Sequence, residues 1–178
     1  VARLLDAGVT VVGVDLIYQG EFLADGKPLE KTRRVENPRE AAAYTFGYNR
    51  TVFAQRVHDV LTAVRFAKSR GEGATVFLVG LDGAGPWAAA ALAQADGAVA
   101  KAALDTGSFR FGQVQDIHSP DFLPGGAKYF DLPGMMALAA PTPLWIAGEG
   151  PTSPDVVAAC YRATGGQQAL TVADGEAA

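Results

Sequence analysis

Apolar residues fall along this chain in two kinds of run. Val9–Leu16, VTVVGVDL, is almost continuously apolar, with no polar alternation. That is the pattern of a strand covered on both faces, as in a parallel sheet. Thr75–Val79, Ala100–Leu104, Thr142–Gly148 and Gln168–Val172 are shorter runs of the same kind. Between them the period changes. Val57, Val60, Leu61 and Val64 recur at helical spacing and predict a helix over Thr51–Arg70. Asn49 or Thr51 is placed to cap its start, and Lys68, Arg70 and Gly71 suit its end. Further helices are predicted over Pro86–Ala95, Met135–Ala140 and Pro154–Thr164, and VARLLDAG reads as a helix end stopped by Gly8.

Residues 17–50 and 106–134 have weak periodicity and many Gly, Pro and charged positions, so both are predicted as loop-rich excursions. Strand and helix alternate elsewhere. The expected fold is α/β: a three-layer α/β/α sandwich around a mostly parallel sheet, in a single domain over residues 1–178.

Composition narrows the function. The chain of 178 residues is 49% hydrophobic and 19% charged, ordinary values for one globular domain. The net charge of −4, without a Lys/Arg stripe, argues against a nucleic-acid partner. No apolar run reaches the roughly 18 residues of a membrane span, so no membrane partner is expected. The lone Cys160 excludes an internal disulfide and reads as a small buried hydrophobe. No cofactor is expected: GLDGAG lacks the spacing of a dinucleotide-binding glycine motif, and no His/Asp/Glu cluster has a metal spacing.

The candidate chemistry centres on VFLVGLDGAGPW, Val76–Trp87. An apolar strand ends at Gly80, glycines follow at 83 and 85, and Pro86 opens an alanine-rich helix. Asp82 is thereby placed on a strand-to-helix corner, above the carboxyl end of the sheet where open α/β sheets bind ligands. A carboxylate there benefits from the helix dipole, and the Gly83 N–H is placed to bind an oxyanion. Asp82 has a plainer alternative role, capping the following helix. Asp105 ends the next strand on the same edge, where it reads as a capping or turn residue. His118, on the following loop, is the better placed of the two histidines as a base; His58 belongs to a helix face beside Asp59.

These residues carry a resemblance. Gly80-Leu81-Asp82-Gly83-Ala84 is similar to the nucleophile elbow of the α/β-hydrolase superfamily, G-x-S-x-G, with Asp82 in the serine's place and Ala84 in that of the last glycine. VTVVGVDLIYQGE, YTFGYNRTVFAQRVHDVLTAVRFAKS and LPGMMALAAPTPLWIAGE resemble segments of acetyl xylan esterase-like and dienelactone hydrolase-like proteins, so that the likeness spans about Leu4 to Ala173. It implies an α/β-hydrolase fold whose N-terminal strands are missing, with the chain a fragment of a longer one. It also implies a triad acid after TPLWIAG, at Glu149 or Asp155, and a histidine around ADGEAA, where the sequence has none. In relatives with an aspartate nucleophile the carboxylate attacks an sp3 carbon; attack on an acyl ester would give an anhydride. Two functions therefore stay open. One is a hydrolase of small-molecule or carbohydrate esters, using Asp82, Gly83, Asp105, His118 and Glu149. The other is a catalytically degenerate scaffold or interaction domain, partnered by the rest of a parent chain. The compartment is open; a secreted or periplasmic setting is what the resemblance implies.

Overall fold

A computed structural model describes residues 1–32 and 41–173. Arg33, Arg34 and Glu36, in the excursion expected over 17–50, and most of the ADGEAA end lie outside the described residues. Four parallel strands form one sheet: β1 (Phe77–Gly80), β2 (Lys101–Asp105), β3 (Leu144–Ala147) and β4 (Leu170–Val172). They lie in the order β1-β2-β3-β4, with Gly80 opposite Leu104 and Asp105 opposite Ala147. Helices α1 (Ala2–Asp6), α2 (Ala42–Phe46), α3 (Val52–Ser69), α4 (Gly85–Leu92), α5 (Asp131–Ala137) and α6 (Asp155–Ala163) alternate with them from α3 onward. The chain is an α/β protein with an all-parallel sheet.

α3 forms where the period placed it. Thr51 is its cap, the side-chain oxygen accepting from the Ala54 N–H at 3.1 Å. Its buried stripe holds Phe53, Val57, Val60 and Val64, and also Arg56, a cation on an otherwise apolar face. α4 is apolar all round and buried along its whole length, from Gly85 to Leu92, as a central core helix should be. It packs against β1, β2, α3 and α5. Leu104, Leu132, Met136, Leu144, Ile146 and Val157 complete the core with no more than 2% exposure. Tyr161 is fully buried in α6, and its hydroxyl donates to the Thr142 carbonyl at 2.6 Å. Burial pushes that hydroxyl's pKa well up.

Two expectations need correction. VTVVGVDL is not a strand. Residues 9–16 pair with no strand among the described residues, and Val11, Val12 and Val14 are 38%, 47% and 50% exposed. β-branched composition supplies the propensity, but a strand exists only where a neighbour completes its ladder. Only Leu16 reaches the core. The helix expected over 135–140 instead begins at Asp131, whose carboxylate accepts from the N–H groups of Leu132, Phe111 and Gly112 at 2.7, 2.8 and 2.9 Å. Pro133 sits in that first turn, where a missing N–H costs nothing. Phe77 and Val79 of β1 are 52% and 57% exposed on the sheet face opposite α4.

Candidate functional site at the carboxyl edge of the sheet

The corner between β1 and α4 is built from small residues, and two of its glycines are sterically required. A Cβ at Gly80 would stand 2.6 Å from that of Ala88, and one at Gly85 only 1.8 Å from the Asp105 carbonyl oxygen. Gly85 is therefore a place where α4 rides directly on the end of β2. Asp82 and Gly83 have positive φ, +50° and +87°, and the Ala84 N–H donates to the Leu81 carbonyl at 3.0 Å. Two positive-φ residues inside an i→i+3 bond have the form of a type I′ turn, for which Asp-Gly is a preferred pair. Asp82 tolerates that backbone because a short polar side chain visits the left-handed region more cheaply than others.

The cap role for Asp82 is not observed. Ala84 occupies the N-cap of α4, and no side chain caps that helix. The Asp82 residue is exposed, and no hydrogen bond or ion pair holds its carboxylate among the described residues. Replacing Asp82 tests the turn directly. Asn or Gly at 82 is expected to leave stability within about 0.5 kcal/mol, whereas Val, branched at Cβ and forced to positive φ, should lose about 1–2 kcal/mol. Urea denaturation midpoints at constant m-value read the difference; a Val variant as stable as the Gly variant would contradict the turn.

Asp105 and Glu149 meet at the ends of β2 and β3. Asp105 closes an Asx turn, its Oδ1 accepting from the Gly107 N–H at 3.0 Å. A Cβ at Gly148 would lie 2.7 Å from the same oxygen, so the carboxylate is wedged between two backbone turns. Glu149 follows at once. Its side chain is 2% exposed. Oε1 accepts from the Thr106 hydroxyl at 2.5 Å and from Arg110 Nη1 at 3.0 Å, and Oε2 accepts a short bond from Arg110 Nη2. The guanidinium is held bidentate, and this bond is the main reason its pKa is raised further. The Ser108 hydroxyl also donates to the Gly148 carbonyl. Residues 105–110 and 148–149 thus form one locked knot. Asp155, the other candidate acid, opens α6 at an exposed position.

His118 lies on the loop after β2. Its backbone is tied down on both sides: the N–H donates to Asp116 Oδ1 at 2.9 Å, and the carbonyl accepts from the Thr32 N–H at 2.7 Å. The first of these bonds, with Lys31 at 3.1 Å, holds the Asp116 carboxyl below its usual range. His58 is exposed, and the adjacent Asp59 accepts from the Ile17 N–H at 3.0 Å. Among the described residues no group of three or more His, Cys, Asp or Glu is arranged to hold a metal ion, and no helix is long and apolar enough to cross a membrane.

The same edge carries residues the sequence patterns did not single out. Arg110 and Thr106 complete the Glu149 site, and their pairing over about forty positions leaves no local signal. Arg56 did leave one, since it interrupts the apolar stripe of α3. It lies over Trp87, in the first turn of α4, with Cζ 4.5 Å from the ring centroid.

Set against known proteins, the chain matches no family model, no curated protein and no solved structure.

Proposed function

We propose that this chain is a catalytically degenerate domain of α/β-hydrolase type, resembling acetyl xylan esterase-like and dienelactone hydrolase-like proteins, and serving as a scaffold rather than an ester hydrolase. The proposed whole is the three-layer sandwich of that superfamily, of which the parallel sheet and α3–α6 are a part. The observation that carries the proposal is the state of Glu149. A triad acid works by accepting from an imidazole N–H. Both Glu149 oxygens are already occupied by Arg110, one of them by Thr106 as well, and the side chain is enclosed. Asp82 adds support: its turn geometry accounts for an aspartate there without any reaction.

The exposure of Asp82 above the sheet favours one second reading, attack by its carboxylate on an sp3 carbon. Hydrolysis of p-nitrophenyl acetate, acetylated xylan and a haloalkane separates the two. The wild type, Asp82→Asn and Glu149→Gln are all expected to match the buffer rate, and Asp82→Ser should gain nothing. Turnover in the wild type that disappears in Asp82→Asn, with folding intact by circular dichroism, would sink the proposal in favour of a working nucleophile.

A further inference from the structure

We propose that Arg56 and Trp87 form a binding site for a small organic carboxylate. The proposal rests on two buried donors and is independent of the hydrolase-type reading. The Arg56 side chain is 6% exposed. Its Nε donates to the Ile17 carbonyl at 3.2 Å and its Nη2 to the Tyr18 carbonyl at a long 3.4 Å. The carboxylate it faces, Asp121 Oδ1, stands 4.0 Å from Nη1, beyond hydrogen-bond distance, on a side chain that is 40% exposed. Burial accordingly pulls the guanidinium pKa down, and Asp121 offsets only part of that. The second donor is Trp87 Nε1, which is buried and has no acceptor among the described residues. Trp87 itself is 7% exposed.

A buried cation whose nearest carboxylate stands at 4.0 Å, and a buried indole N–H without an acceptor among the described residues, are each costly alone. Here they are stacked together at the carboxyl edge of the sheet. One acceptor with two oxygens would satisfy both, taking a bond from Arg56 Nη1 and one from Trp87 Nε1. A planar monoanion fits best. The guanidinium fork matches a carboxylate, and a phosphate dianion would give up far more hydration on entering so enclosed a place. Asp121 marks the side of approach, because it is half-exposed and faces the same Nη1. It also opposes the ligand by charge, so its removal should tighten binding.

The test is titration of the protein with sodium acetate against sodium chloride at matched ionic strength, followed by the indole N–H resonances. Trp145→Phe assigns the two signals. Acetate is expected to move the Trp87 resonance saturably and leave that of Trp145 in place. Asp121→Asn should lower the midpoint several-fold. Trp87→Phe keeps the ring and loses one bond, so acetate should raise the melting temperature of that variant less, with binding weaker by about fivefold. Arg56→Gln should abolish the response if it folds; the other two variants decide the matter if it does not. The proposal fails if acetate moves neither resonance in the wild type and Asp121→Asn, or if both drift together without saturation. It also fails if inorganic phosphate does as well as acetate, because the site would then read charge and not a carboxylate.

Discussion

Gly85→Ala is expected to be the most damaging glycine-to-alanine change among the described residues. The new Cβ would fall 1.8 Å from the Asp105 carbonyl oxygen, 2.5 Å from its carbon and 3.1 Å from the Thr106 N. All three are backbone atoms at the end of a central strand and cannot rotate away. Relief requires moving α4, which is buried throughout and packs on β1, β2, α3 and α5. Overpacking a core costs about 1–3 kcal/mol where side chains can adjust, and more where they cannot. A loss of at least ~3 kcal/mol is therefore expected, a large share of the ~5–15 kcal/mol that holds a domain together. Two neighbours calibrate it. Gly80→Ala meets the Ala88 Cβ at 2.6 Å and the Ala84 carbonyl oxygen at 3.0 Å, a shallower overlap than at Gly85, and should cost less. Gly83→Ala meets nothing within 4 Å and carries only the strain of φ +87°, about 1–2 kcal/mol. The expected order of urea midpoints is Gly83→Ala, then Gly80→Ala, then Gly85→Ala lowest or unfolded. A Gly85→Ala midpoint equal to that of Gly83→Ala would mean that α4 does not ride on the end of β2.

That corner also shows how far the sequence could be read. The alternation of apolar runs and helical stripes located the four strands and α3, α4 and α6 to within a few residues, because buried parallel strands and amphipathic helices leave strong local patterns. Val9–Leu16 has the same composition but is not a strand. Its fate depends on a neighbour, which no local pattern encodes. At the site the sequence placed Asp82 correctly on a tight corner, and the glycines around it signalled a close approach. It did not reveal which glycine bears the tightest contact, since Gly80, Gly83 and Gly85 look alike in sequence and the clash at 1.8 Å falls at Gly85. Nor could it show that Glu149 is occupied. Arg110 is 39 positions away, and only the register of β2 against β3 brings them together.

Arg110→Met is the second large effect expected. Exposed ion pairs contribute about 0–1 kcal/mol, whereas removing one partner of a buried pair leaves an uncompensated charge and costs about 3–5 kcal/mol. Arg110 is 29% exposed but Glu149 only 2%, and it is the enclosed partner that would be stranded. The expected loss is therefore near the low end of the buried range, about 3 kcal/mol, and insensitive to added salt. The Thr106 hydroxyl alone would remain on Glu149. Removing both charges separates the energy of the pair from the penalty of stranding. In Arg110→Met/Glu149→Met no buried charge is left, and Thr106 keeps the Ala147 carbonyl as an acceptor at 3.3 Å. The double variant should be more stable than Arg110→Met alone by about 2 kcal/mol, with a strongly non-additive cycle. Additive losses below 1 kcal/mol for both single variants would mean that water reaches the pair. Glu149 would then be free to turn toward another partner, and the strongest support for a degenerate site would go with it.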